Sequence, residues 1–185
     1  ALCMVWTLGA SAAVRAVTEP HLVADLGTEL SFYAGSVPHG LAAVGGRVVF
    51  AAQPDDHADR LFQSDGTASG TTALAAPCAA LESGQITRLH ANPAHAFYEV
   101  RCGFDEPALW ASDGRAAGTG SLLAAGEFRR TTPFYAAPQW VDEGNRTLFL
   151  QGGSYSSPLE LWATDGTAAG TFRLGVLTQQ TGATG

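Results

Sequence analysis

The chain contains no lysine: all ten basic residues are arginine, set against 17 acidic ones, for a formal net charge of −7 over 185 residues. A surface so short of positive charge suits no nucleic-acid backbone, and that class of partner is set aside. Only three cysteines are present, with no Cys-x-x-Cys pair and no His-Glu-x-x-His, so the commonest zinc patterns are missing. No cofactor fingerprint occurs, and none is expected to bind. Apolar runs are too short to span a bilayer as a helix in the mature chain. Nor does any long stretch repeat its apolar residues with a 3.6-residue period, so helices should be few.

What is present begins with material for a core. Hydrophobic residues make up 46%, enough for one domain, and 22 glycines imply many turns. Residues 1–16 read as the remnant of an export signal: Leu2 to Leu8 is apolar, and Ala10-Ser11-Ala12 has the small-x-small pattern of a signal-peptidase site. The other reading of Val5 to Leu8 is a first buried strand. Export puts Cys78 and Cys102 in an oxidising compartment, where they either form a disulfide or stay as two buried thiols.

One phrase occurs three times: Leu61-Phe-Gln-Ser-Asp-Gly-Thr67, Leu109-Trp-Ala-Ser-Asp-Gly-Arg115 and Leu161-Trp-Ala-Thr-Asp-Gly-Thr167. Each is followed at the same offset by Gly-Thr, at 70–71, 118–119 and 170–171, and the aspartates lie 48 and 52 residues apart. A period near fifty residues suits one four-stranded blade per unit. The expected fold is therefore all-β: a partial β-propeller of three blade-like repeats within 17–178, at about 21–71, 72–119 and 120–171. Residues 179–185 form a loop or tail. A stacked β-sandwich array is the runner-up.

Within the first unit, Leu22 to Asp25, Leu41 to Val44, Arg47 to Phe50 and Arg60 to Ser64 read as short strands. Gly45-Gly46 between the second and third is a hairpin signal, because both turn residues can take positive φ. The second unit places a hairpin at Gln85–Leu89 and His95–Val100 around Asn92-Pro93, closed by Ala108–Ala111. In the third, Gln139–Val141 and Arg146–Leu150 flank Glu143-Gly144-Asn145, and Leu159–Ala163 follows. The Asp-Gly pairs (Asp65-Gly66, Asp113-Gly114, Asp165-Gly166) read as structural turns. Asp accepts from backbone N–H groups just ahead, and Gly supplies positive φ. Phe62, Trp110 and Trp162 sit at matching positions and are expected between adjacent sheets. Each Gly-Thr is expected to begin the innermost strand of the next blade.

The phrases at 109–119 and 160–171 resemble the "ELWxxDGT" repeat of bacterial exported proteins. Leu22-Val-Ala-Asp-Leu26 and Leu41-Ala-Ala-Val-Gly-Gly-Arg-Val-Val-Phe50 are similar to its flanking segments. The resemblance covers roughly residues 21 to 175 and is weakest in the second unit, where Arg115 replaces threonine. It implies a surface or secreted propeller-like repeat protein with no established general activity, and it supplies no catalytic residues to transfer.

Propellers usually close with at least four blades. Three signatures imply part of a longer protein, or a ring completed by self-association through an uncovered face and edge. Asp55, Asp56, His57 and Asp59 are the only dense set of possible metal ligands. They lack the alternating Asp spacing of a calcium loop and read as a solvated hairpin tip. His90 and His95 read as turn-flanking residues, and nothing singles out a glycosidase carboxylate pair. The expected function is an exported (periplasmic, secreted or cell-surface) binding or scaffold module for a protein or glycan, with no catalysis. The alternatives are a fragment of a polysaccharide- or glycoside-acting enzyme and a purely structural spacer.

Overall fold

A computed structural model describes residues 36–54, 58–79, 83–129, 140–154 and 157–177. The export-type segment 1–16, the strand expected at Leu22 to Asp25, the loop residues Asp55, Asp56 and His57, and the tail 179–185 lie outside these. Among the described residues, twelve strands form three four-stranded antiparallel sheets, each an open meander in chain order. The first holds β1 (His39–Val44), β2 (Arg47–Ala52), β3 (Arg60–Ser64) and β4 (Thr72–Ala75). The second holds β5 (Gly84–Ala91), β6 (Ala96–Cys102), β7 (Ala108–Ser112) and β8 (Thr119–Leu123). The third holds β9 (Trp140–Glu143), β10 (Arg146–Ser154), β11 (Ser157–Thr164) and β12 (Phe172–Leu177). One 3-10 turn, Ala116–Gly118, is the only helical element among the described residues.

The opening hairpins follow local chemistry. Gly45 and Gly46 both take positive φ, +56° and +78°, as a primed turn between right-twisted strands demands. In the third sheet the turn is two residues, Gly144-Asn145, with only Gly144 positive at +61°. The second sheet has no glycine pair and uses Asn92, whose Oδ1 accepts from Ala94 and His95 N–H at 2.8 Å each.

The strand after each Gly-Thr departs from expectation. β4, β8 and β12 pair with β3, β7 and β11, so this strand closes the sheet that carries the phrase and does not open the next one. The reason is the tightness of the turn, which returns the chain alongside the strand it has just left. Every copy has a register shift at the same place, at Leu61/Phe62, Leu109/Trp110 and Leu161/Trp162. The extra residue opposite that shift is Leu74, Leu122 or Leu174.

The sheets stack face to face. The face of the second sheet carrying Ile86, Tyr98, Val100 and Trp110 packs on Val44, Val49, Ala51 and Leu61 of the first. Its other face, with Phe97, Leu109, Ala111 and Leu122, packs under Trp140, Phe149 and Trp162 of the third. Phe50, Ala52 and Phe62, on the first sheet's far face, form a separate small cluster with the two rings stacked at 5.7 Å. Full burial of side chains this size contributes roughly 1.5–3 kcal/mol each, so these seams supply most of the cohesion between sheets.

Candidate functional site

The antiparallel meanders put all the repeated turns at one end of the stack. In the first turn Asp65 Oδ1 accepts from Thr67 N–H at 2.9 Å and from its hydroxyl at 2.7 Å. Those bonds, the hydroxyl's first, hold the Asp65 carboxyl below the usual range. Ser64 Oγ accepts from Gly66 N–H, and Thr71 donates back to the Thr67 carbonyl. The third turn repeats this arrangement with Thr164, Asp165, Gly166, Thr167 and Thr171. Gly66, Gly114 and Gly166 have φ near +89°, +84° and +88°. The later glycine of each phrase has a steric role. A Cβ on Gly70, Gly118 or Gly170 would lie 1.9–2.2 Å from the nearest carboxylate atom of Asp65, Asp113 or Asp165.

In the second turn Arg115 keeps the N–H bond to Asp113 Oδ1, at 2.8 Å, but brings no hydroxyl. Arg115→Thr should restore the hydroxyl bond to Asp113 present in the other turns and move the Gly118 N–H from the residue-115 carbonyl, 3.1 Å away, to that hydroxyl, in exchange for the exposed 3.7 Å ion pair of Arg115 with Asp113. At this exposed site the gain should be about 0.5–1 kcal/mol, read as a Tm rise of a few degrees. An unchanged or lower Tm would refute the equivalence of the three turns.

The second and third turns also serve as joints. Gly45 N–H donates to the Pro93 carbonyl at 3.0 Å, and a Cβ on Gly45 would sit 3.3 Å from the Asp113 carbonyl. Gly166 lies beneath the His95 ring, where a Cβ would come within 2.4 Å. Thus the Asp-Gly turn of a later sheet rests on the first hairpin turn of the sheet before it. Beside the second joint His90 Nε2 contacts both Asp142 carboxylate oxygens at 3.0 Å. Asn92 Nδ2 donates to Asp142 and to Thr147. Burial pushes the Asp142 carboxyl up, but the bonds from Asn92, His90 and Thr147 outweigh it and hold it below its ordinary value. His90 stacks on Trp140 at 5.6 Å, and His95 tilts against Phe97 at 6.1 Å. The two histidines thus take part in packing at this seam.

Two clefts open among the described residues at the opposite end of the stack. Between the first and second sheets a cleft of about 540 Å³ is lined by Val37, His39, Gln53, Asp59, Gln85 and Thr87, among others. Asp59 is buried, accepts from Ile86 N–H at 2.7 Å and lies 3.3 Å from His39 Nε2. His39 Nδ1 meets the Val37 carbonyl and Nε2 the Ile86 carbonyl, both at 2.9 Å. With acceptors at both nitrogens, the doubly protonated ring fits best. Partial burial lowers the His39 pKa, but the two carbonyls and Asp59 outweigh it and raise it above 6.5. A raised histidine stabilises fully below its unfolded value and loses that contribution as pH rises through the folded one. His39→Gln should therefore cost up to about 1 kcal/mol at pH 5.5 and almost nothing at pH 8.5, since the ring is partly solvated. Thermal melts at both pH values would show it, and a pH-independent difference would refute it.

A second cleft of about 310 Å³, between the second and third sheets, is lined by Glu127, Arg129, Gln151, Gly152, Glu160 and Trp162, among others. Gln151, 2% exposed, accepts from Arg129 N–H and donates to the Glu127 carbonyl and to Glu160 Oε2. Glu160 also accepts from Trp162 Nε1 at 3.0 Å and from Arg173 at 2.7 Å. Burial raises its pKa, but Arg173, Trp162 and Gln151 outweigh that and keep it low, so it stays ionised.

No protein-family model, curated protein or solved structure matches the chain.

Cys78 and Cys102 are bonded, tying the segment after β4 to the end of β6 at the cleft end. Among the described residues no three His, Cys, Asp or Glu side chains gather as a metal site. Of the sequence cluster, only Asp59 falls in that set, and it is engaged by Ile86 and His39. No described helix is long and apolar enough to cross a membrane. Sequence reasoning missed the roles of His39 and Gln151 and the reach of Asn92 beyond its turn, which act through partners distant in the chain. It also missed the role of Glu160, whose partners Gln151, Trp162 and Arg173 lie 9, 2 and 13 residues away.

Proposed function

We propose that this chain is an exported repeat module of β-propeller type that serves as a binding or surface scaffold and performs no catalysis. The observation that carries the reading is the polarity of the stack. One end is built three times from the same turn, while the other opens two clefts of different size and lining between loops of unequal length. Variable loops on a repeated frame are where recognition usually resides. The similarity to the ELWxxDGT repeat and the stacking of like sheets support the propeller assignment. The Cys78–Cys102 bond suits an oxidising, exported setting.

The lining of the larger cleft, with the amide, hydroxyl, imidazole and guanidinium groups of Gln53, Gln85, Thr87, His39 and Arg88 around the buried Asp59 carboxylate, favours a hydroxylated ligand such as a glycan segment. Calorimetric titration with cell-envelope polysaccharide fractions tests this. Saturable binding weakened about tenfold by Gln85→Ala with Thr87→Ala supports a recognition role. Absence of binding to glycans and to envelope proteins leaves the structural spacer. Release of new reducing ends would replace both with a glycoside-acting enzyme.

A further inference from the structure

We propose that residues 36–40 form a pH-operated latch at the larger cleft, closed while the His39 ring is doubly protonated and released when the ring loses a proton. The latch is a property of the unliganded chain and stands whether or not the cleft takes a glycan.

The segment is held in a conformation it would not keep alone. Val37 has φ +37°, and among the described residues it is the only one other than glycine with positive φ. A β-branched residue in that region is strained, and such strain persists only where neighbouring contacts impose it. Two contacts bracket it here. Ahead of Val37, the Ser36 carbonyl accepts from Gln53 N–H at 2.8 Å. Beyond it, His39 Nδ1 meets the Val37 carbonyl at 2.9 Å. The other ring nitrogen anchors the segment across the seam, with Nε2 2.9 Å from the Ile86 carbonyl and 3.3 Å from Asp59. Regular pairing adds little at this point, because the register of β1 on β2 shifts between His39 and Ala42 and Gly40 turns at φ +63°.

A neutral imidazole cannot keep this arrangement. It has one N–H, so one nitrogen would turn a lone pair toward a carbonyl oxygen. The ring must then give up either Val37 or its Ile86 and Asp59 contacts. Losing the first frees the strained residue. Losing the second leaves Asp59, 4% exposed, short of a partner, and water must reach its carboxylate. Strain of this kind and hydrogen bonds from a charged ring are of similar size, so one proton decides between the two states.

Among the described residues, the charged groups that line the cleft with His39 are Asp59, ahead of β3, and Arg88, on β5. Tyr98, on β6, sits against Gly40, and burial pushes its hydroxyl far above the ordinary range, so it stays neutral. Arginine keeps its charge throughout, which leaves the imidazole as the group of ordinary pKa near neutrality. Burial lowers the His39 pKa, but the Val37 and Ile86 carbonyls and Asp59 raise it above its usual value. The latch is therefore closed in mild acid and released as pH rises through that raised value. Release turns the Asp59 carboxylate from a partner of His39 into an acceptor open to the cleft.

Hydrogen exchange on the oxidised full chain, compared as protection factors at about pH 5.5 and about pH 8.5, tests the latch. The Gln53 amide reports it directly, because its acceptor is the Ser36 carbonyl. Its protection should fall about tenfold or more at the higher pH, while the amides of β3 keep theirs. His39→Gln should show the lower protection at both pH values. Val37→Asn takes positive φ at less cost and should stay protected at both. Equal protection of Gln53 at the two pH values in the parent chain would overturn the proposal. So would the parent's pH response surviving in His39→Gln, which assigns it to another group, or in Val37→Asn, which removes strain as its cause. Loss of protection across all three sheets in His39→Gln would mark a general structural role and overturn it as well.

Discussion

Cys78→Ala with Cys102→Ala should lower the unfolding free energy by about 3–4 kcal/mol and Tm by about 10 °C. The bond spans 24 residues of chain, and a loop of that length loses roughly this much closure entropy in the unfolded state. Its position adds a local effect. Cys78 is 3% exposed and packs against Gly84, where a Cβ would come within 2.6 Å of its Sγ. Gly84 in turn accepts from Asp59 N–H at 3.1 Å, and Asp59 holds Ile86 and His39. The bond therefore fixes the seam on which the larger cleft is built. Serine in place of alanine should cost more at position 78, because a buried hydroxyl without a partner is unfavourable. Chemical denaturation of the oxidised protein and the double variant measures the effect. A difference under about 1 kcal/mol would mean that the first two sheets are already held together in the unfolded chain or need no tether.

Features set by neighbouring residues were legible in the sequence, and features set between units were not. Gly45-Gly46 announces its hairpin because a primed turn needs two positive φ values, and only glycine takes them freely. The Asp-Gly phrase announces a turn for the same kind of local reason. The sheet that receives the strand after Gly-Thr was misread, because Thr72 to Ala75 fits an edge strand of either neighbouring sheet. The deciding contacts are the register to Leu61–Gln63 and the shift at Leu74. Gly70, Gly118 and Gly170 were visible as a repeat, but their reason is a carboxylate folded over them, which spacing alone does not disclose. The clefts were less legible still. His39 and Ile86 lie 47 residues apart, and His90 and Asp142 lie 52 apart, so no window of sequence contains both partners. Gln151 looks like an ordinary strand glutamine until the chain at Glu127 and Arg129 is laid beside it.

Phe97→Ala should cost about 3–5 kcal/mol, and Phe97→Leu less than about 1.5 kcal/mol. The ring is fully buried in the seam between the second and third sheets, among Leu109, Leu122, Phe128 and Phe149. It lies 5.3 Å from Trp140 and 6.1 Å from both His90 and His95, so it touches the aromatic stack and the joint under Gly166 together. Truncation leaves a cavity bordered by rings too large to collapse into it, whereas leucine keeps most of the volume. The two seams differ in kind. The first is cross-linked by Cys78–Cys102, while the second has no covalent tie among the described residues and depends on packing plus the His90, Asn92, Asp142 and Thr147 contacts. Loss of Phe97 should therefore free the third sheet before the others. In hydrogen exchange, amides of β9 to β12 should lose protection while those of β1 to β4 keep theirs. Equal loss across all twelve strands would show that the three sheets unfold as one unit, with the seams too strongly coupled for either to open alone.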